Sequence, residues 1–265
     1  GYDIRGIYGN DLNEDIAYTI GRSYGTYIGE NGYKKCVIGH DNRDSSPALY
    51  DALITGIVST GIDVLALGLV TTPMYYFAQI NLNDKDEIMP GIMITASHNP
   101  KEYNGFKMSV SNFGNACGQM IIDFRDFTSK CEFVDGNGSV IEKDIKADYL
   151  KLIKESIELG NKKIKVVVDT ANGTASIIAK DIFDMFKDKI EMVPLYMESD
   201  SNFPNHHPDP SVEENNADLK KKVLEEHADF GLGIDGDGDR IGVIDENGKM
   251  VFIDFFAIII WRVIM

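Results

Sequence analysis

The chain has 265 residues, and at roughly 150 residues per domain this length suggests two domains, each large enough to bury its own core. Hydrophobic residues make up 43% and charged residues 26%, a globular balance that excludes a disordered or fibrous chain. The net charge of −16 at pH 7 repels a phosphate backbone over most of the surface, which argues against nucleic acid as a partner.

The three cysteines, Cys36, Cys117 and Cys131, are odd in number and far apart, with no Cys-x-x-Cys pair, so a reducing cytoplasm is the expected location. Residues 1 to 10 contain no apolar signal-peptide core. Gly1 in place of an initiator Met suggests missing upstream sequence. The apolar stretch 251 to 265 is broken by Asp254 and Arg262 and falls short of the ~18 to 20 residues of a bilayer span. No membrane association is expected; the stretch reads as a core helix severed from its packing partners in a fragment.

In chain order, Ile16, Ile20, Tyr24 and Tyr27 recur at helical spacing between Leu12 and Ile28, with a stop at Gly32. An apolar burst at Val37 to Gly39 predicts a strand, Ala48 to Gly61 behind Ser45, Ser46 and Pro47 a helix, and Val64 to Leu69 a second strand. A helix near Met74 to Ile80 leads to a strand at Gly91 to Ile94, and residues 95 to 105 are too rich in turn formers for regular structure. The amphipathic stretch Tyr149 to Leu159 follows a domain boundary near residue 147. The cycle then restarts with strand Ile164 to Val168, loop Asp169 to Thr174, helix Ala175 to Phe186, strand Ile190 to Leu195, helix Ser211 to Glu226 and strand Asp229 to Ile234. The expected fold class is α/β, with largely parallel sheets whose binding loops follow the carboxyl ends of strands.

Residues 231 to 240, GLGIDGDGDR, alternate carboxylates with glycines directly behind an apolar strand. Asp235, Asp237 and Asp239 can therefore converge hard oxygen ligands on one cation, and a solvated acidic turn is the lesser reading. An EF-hand is a poor fit, because Arg240 stands where the loop requires Gly and strands flank it where helices are needed. Gly231, Gly233 and Gly236 also spell G-x-G-x-x-G, but no helix opens there and three carboxylates would repel a pyrophosphate.

The second loop of interest is TASHNP at 95 to 100, which places a candidate nucleophilic hydroxyl, Ser97, just beyond a buried strand. A purely structural turn explains the same residues, and the G-x-S-x-G frame of a serine hydrolase is absent. His98 is expected to point away from Ser97, since adjacent side chains diverge in extended backbone. Lys101 and Lys107 flank the turn Asn104-Gly105, Tyr2 and Arg5 lie in the opening YDIRG, and His40 and Arg43 lie in HDNR after the first apolar strand. Cations near strand ends suit phosphate.

YDIRG at 2 to 6, TASHNP at 95 to 100, NGFK at 104 to 107 and DGDGDR at 235 to 240, in that order, resemble the α-D-phosphohexomutase superfamily, in its phosphomannomutase/phosphoglucomutase branch. The resemblance implies two successive three-layer α/β/α domains with mixed, largely parallel sheets, at 1–147 and 148–253, followed by the start of a third at 254–265. It implies that Ser97 is phosphorylated and that Asp235, Asp237 and Asp239 hold one Mg²⁺ together with an oxygen on Ser97. Arg5, His98, Lys107 and Arg240 would surround the transferred group, with Tyr2 and Arg43 beside phosphate. All-oxygen ligands suit Mg²⁺ better than Zn²⁺.

The implied reaction interconverts hexose 6-phosphate and hexose 1-phosphate, of mannose or glucose, through phosphoserine and a bisphosphorylated sugar. Lys107 and His98 are the candidate acid and base, with their roles open. Family members are considerably longer, so little mutase activity is expected of this chain alone. Alternatives are a glucosamine-phosphate mutase, against which the opening YDIRG speaks, and a non-catalytic Ca²⁺-binding module for which Ser97 would be dispensable.

Overall fold

The computed structural model describes residues 3–83, 88–111 and 114–264. The chain forms two compact units, Gly1–Lys146 and Ala147–Met265. Both are α/β with mixed sheets.

The first unit contains β1 (Ile4–Ile7), α1 (Glu14–Glu30), β2 (Lys35–His40), α2 (Ser46–Val58), β3 (Asp63–Leu69), α3 (Thr72–Asn81), β4 (Gly91–Ile94), β5 (Tyr103–Ser111), β6 (Gly114–Asn115), α4 (Gln119–Thr128) and β7 (Val140–Glu142). Its sheet runs β1-β5-β4-β2-β3-β7, with β6 on β5. The β4, β2, β3 and β7 neighbours are parallel, whereas β5 is antiparallel to both β1 and β4. Asn13 starts α1 by accepting the Ile16 N–H at 2.9 Å, and Thr71 caps α3. Alternate strand residues Ile38, Ile92, Ile94, Phe106 and Met108 pack beneath α1 and α2, burying Tyr24, Ile28, Leu49, Leu53 and Ile57.

The second unit contains α5 (Lys146–Ser156), which opens at the division, then β8 (Ile164–Asp169), α6 (Ala179–Asp184), β9 (Ile190–Leu195), α7 (Ala217–Glu226), β10 (Phe230–Ile234), β11 (Ile241–Asp245), β12 (Met250–Val251) and α8 (Ile253–Ile264). Its sheet runs β12-β11-β10-β8-β9, parallel across β10-β8-β9 and antiparallel from β10 to β12. Leu219 and Val223 of α7 pack on Val167 and Ile244. Gly231 has no side chain because a Cβ there would approach Val223 and Leu219 to 2.7 and 2.8 Å, so the G-x-G-x-x-G glycines in β10 serve helix-on-sheet packing.

Several sequence expectations need correction. Residues 103 to 105 belong to β5: Asn104 and Gly105 look like a turn, yet Gly105 pairs with Arg5 because a Cβ there would lie 2.3 Å from the Ile4 carbonyl oxygen. Strand β1 was hidden for a related reason, its Gly6 lying close against Asp11. The helix expected over Ala175 to Phe186 breaks into a 3₁₀ turn at Thr174–Ile177 followed by α6, and the helical start expected at Ser211 is a 3₁₀ turn at Glu213–Asn216. The stretch read as a core helix severed from its packing partners is helical, α8, and exposes Phe255, Ile258 and Trp261. No helix among the described residues is long and apolar enough to cross a membrane.

Candidate active site

Ser97 lies three residues beyond β4 and is 1% exposed. Its φ of +52° is left-handed, a conformation costing a non-glycine residue roughly 1 kcal/mol or more, so the surrounding contacts must hold it. They begin with Thr95, whose N–H donates to the Gly105 carbonyl at 3.0 Å and whose Oγ1 accepts the Ser97 N–H at 2.8 Å. The left-handed turn changes the expected position of His98. The two side chains do not diverge: Ser97 Oγ and His98 Nδ1 are 3.3 Å apart.

Arg43 has a different setting from the one expected. Instead of offering a free guanidinium to phosphate, it is 1% exposed and donates all five of its N–H groups within the protein. Nε donates to Asp41 Oδ2 at 3.1 Å, Nη1 to the carbonyls of Pro100 and Tyr103 at 2.7 and 3.1 Å, and Nη2 to those of Ser97 and Asn99 at 2.9 and 2.8 Å. Asp41 Oδ1 in turn accepts from the Arg43 N–H and from Ser46 Oγ, and Asn104 Nδ2 donates to Ser45 and Ser46 hydroxyls. A buried ion pair so fully hydrogen-bonded repays its desolvation.

Arg5 extends from β1 to the same loop. Its Nε donates to Asp3 at 2.8 Å and its Nη1 to Asn99 Oδ1 at 2.7 Å, and its side chain keeps 23% exposure. In register Arg5 faces Gly105 and Lys107 faces Met93, so Arg5 and Lys107 share one face of the β1-β5-β4 sheet, with Lys107 9% exposed. His40 is turned elsewhere, with Nδ1 2.7 Å from the Asp41 carbonyl and its ring against Tyr50. Tyr2 lies outside the described residues.

In the second unit, Asp235 to Arg240 form the tip of the β10-β11 hairpin, closed by the pair Ile234 and Ile241. Strands on both sides dispose of the EF-hand reading on geometry. Asp235 and Asp237 are fully buried, and one oxygen from each of Asp235, Asp237 and Asp239 lies within 4.8 Å of the others. Three hard carboxylates this close, two of them shut away from water, fit a divalent cation and gain from its charge. Asp235 Oδ1 organises the tip by accepting the N–H groups of Asp239 and Arg240 at 2.9 and 3.0 Å, while Gly238 supplies φ +81°. Arg240 is half exposed, its Nε 3.9 Å from Asp239 Oδ1.

Sequence reasoning missed the support beneath this tip. Thr174 N–H donates to the Gly236 carbonyl at 2.8 Å, and Gly173 lies so close that a Cβ would meet the same oxygen at 2.9 Å. The loop carrying them leaves β8 through Asp169, whose Oδ1 accepts the Ala171 N–H and whose Oδ2 meets His206 Nε2 at 2.8 Å. Ala171 and Asn172 are both left-handed, and Asn172 is held by Glu198 and Asn205. Burial lowers the His206 pKa, but the hydrogen bond and charge of Asp169 more than offset this, and the net shift is upward. The signal was present in the sequence as NHHPDP at 205 to 210, unread because its partner Asp169 is far away in the chain.

Two α/β units, one ending a strand in a constrained serine loop and the other carrying a hairpin whose three carboxylates could hold a metal ion, define a two-unit α/β protein. The family model for phosphoglucomutase/phosphomannomutase alpha/beta/alpha domain I matches residues 1–122, and that for domain II matches residues 147–248. The chain belongs to the phosphoglucomutase/phosphomannomutase family. It is 42% identical over 253 residues to a phosphomannomutase/phosphoglucomutase of Pseudomonas aeruginosa, covering 96% of this chain and 53% of that one. It is 40% identical over 255 residues to a phosphoglucomutase of Neisseria gonorrhoeae, covering 96% and 54%. A crystal structure of a phosphoglucomutase/phosphomannomutase family protein from Burkholderia thailandensis superposes with a TM-score of 0.87 at 37% identity, over 96% of this chain and 55% of the other. The chain thus spans about half the length of these relatives.

Proposed function

We propose that this chain supplies the phosphoryl-transfer residues of a phosphohexomutase acting on mannose or glucose phosphates, with Ser97 as the phosphate carrier and Asp235, Asp237 and Asp239 as the ligands of one Mg²⁺. The observation that carries the reading is Ser97 itself, a hydroxyl held in left-handed backbone and flanked by His98, with Arg5 bound to the same loop through Asn99. Loops that only connect strands seldom invest a buried arginine and a strained backbone. The named activities of the Pseudomonas and Neisseria relatives support the substrate class. A cytoplasmic setting accords with three free cysteines.

In the forward half-reaction, the bond between phosphorus and Ser97 Oγ breaks as a sugar hydroxyl oxygen bonds to the same phosphorus in line, and the hydroxyl proton is taken up by a base. His98, beside Ser97 Oγ, is placed to donate a proton or hydrogen bond to that oxygen as it departs. Lys107 is the candidate base toward the sugar. Arg5 contributes fixed positive charge to the loop, the type of positioning on which phosphoryl transfer depends. Mg²⁺, when bound, supplies charge that offsets the phosphoryl oxygens and the carboxylates. In the return step the sugar's other phosphoryl passes to Ser97.

Because the chain spans half of its relatives, the half-reaction is the direct test. Incubation with a hexose 1,6-bisphosphate and Mg²⁺, followed by intact-mass analysis, should add one phosphate, mapped to Ser97 and lost in Ser97→Ala or with EDTA. Phosphate uptake that persists in Ser97→Ala would remove the proposal. Ca²⁺ binding with an unmodified Ser97 would favour the binding-module alternative.

A further inference from the structure

We propose that Arg43 is a positioning residue for phosphoryl transfer: its buried guanidinium holds Ser97 in the left-handed conformation from which Oγ accepts and releases phosphate. The proposal rests on Ser97 being the phosphate carrier and goes beyond it by naming what sets that atom's position.

The geometry is that of a clamp. Four carbonyl oxygens, those of Ser97, Asn99, Pro100 and Tyr103, converge on the two terminal nitrogens of one side chain at 2.7 to 3.1 Å. The loop between β4 and β5 is therefore wrapped around Arg43, and Arg43 is anchored from behind by Asp41, itself tied to Ser46 and by its N–H to the Ile94 carbonyl of β4. Two consequences follow. The contacts give donors to the Ser97 and Asn99 carbonyls and a second donor to that of Pro100, which also accepts the Tyr103 N–H, offsetting the cost of φ +52° at Ser97. They also turn the Ser97 carbonyl dipole onto a cation, away from a phosphate on Oγ, which it would otherwise repel. With every N–H engaged, Arg43 makes no contact with the sugar, so its effect belongs in the rate of transfer and not in sugar affinity.

Arg43→Lys keeps the charge beside Asp41 but carries its donors on one atom and cannot span four carbonyls. Loss of one or two charged hydrogen bonds should raise amide hydrogen exchange across residues 95–105 by about 10-fold or more, leaving α1 and α2 unchanged. The rate of Ser97 phosphorylation by a hexose 1,6-bisphosphate should fall by about 10- to 100-fold, with the half-saturating concentration altered less than about threefold. Added guanidinium chloride at millimolar concentration should recover part of the rate in Arg43→Ala and none in Ser97→Ala.

A second measurement needs no variant. In the unmodified protein the Arg43 Nε–H should exchange as slowly, by NMR, as the loop amides it encloses. An Arg43 Nε–H that exchanges at least about 10-fold faster than those amides overturns the clamp, as does an Arg43→Lys protein with unchanged loop exchange or one impaired in sugar affinity alone. Failure of the unmodified protein to take up any phosphate would count against the phosphate-carrier reading, while the two exchange measurements still decide the clamp.

Discussion

In the serine loop the groups drawn together are carbonyl oxygens and the group that gathers them is a cation, Arg43; in the acidic loop they are N–H groups and the organiser is a carboxylate, Asp235. Both tips follow a strand, include left-handed backbone and bury their organiser completely. They differ in distance along the chain. Asp235 binds N–H groups four and five residues away, whereas Arg43 reaches carbonyls 54 to 60 residues away. The contacts of the acidic tip's organiser are thus local, with Thr174 adding support to Gly236 from beneath, while the serine tip exists only once β2 and β4 are paired. A change behind the serine loop should propagate to the fold of its unit, and a change at Asp235 that keeps its two N–H contacts should stay at the tip.

The largest effect expected is for Asp41→Ala, which leaves the Arg43 charge buried without its carboxylate and should cost about 3 to 5 kcal/mol. Thermal unfolding would show it, and a loss below about 1 kcal/mol would mean that the two tips are equally local. Next comes Asp235→Asn, which keeps an acceptor for the two N–H groups but removes a charge from the cation site. Divalent-ion affinity, followed by calorimetry or Mn²⁺ resonance, should weaken by about 100-fold with little change in melting temperature. Equal loss of stability and affinity would contradict the local character of the tip.

Gly105→Ala tests the sheet under the serine loop. Its Cβ would clash with the Ile4 carbonyl at 2.3 Å, so β1 must shift, at about 2 kcal/mol. The position of Arg5 would shift with β1, slowing phosphorylation as well; a variant as stable and active as the parent would show that β1 adjusts freely.

The smallest effect concerns His206. Its raised pKa means that protonation favours the folded state, a contribution complete below the ordinary value of 6.5 and lost as pH climbs through the folded value. His206→Gln should therefore destabilise the protein by about 1.5 kcal/mol at pH 5.5 and by less at pH 8.5. A deficit that grows with pH would reverse the sign and refute the Asp169 pairing.

Much of the architecture was legible because it rests on periodicity. The 3.6-residue spacing of Ile20, Tyr24 and Ile28 marks α1, and the apolar runs of β2, β3 and β8 are buried on both faces. What hid β1 and β5 was glycine at crowded positions, Gly6 against the Asp11 side chain and Gly105 against the Ile4 carbonyl, where sterics outweigh strand propensity. The two helices of the second unit that were expected too long open with 3₁₀ turns, where Thr174 and Asn216 spend their hydrogen bonds on neighbouring loops and not on a regular helix.

By itself the amino-acid sequence determined the run from β2 to β4 and the run from β8 to β10, the acidic tip with its three carboxylates, and the hydroxyl after β4, since each depends on residues within a few positions of one another. Only the tertiary structure decided that Arg43 closes on the serine loop, that His98 turns toward Ser97 and that His206 pairs with Asp169. The physical reason is reach: a hydrogen bond acts over about 3 Å, and only the folded sheet brings residues tens of positions apart within that distance.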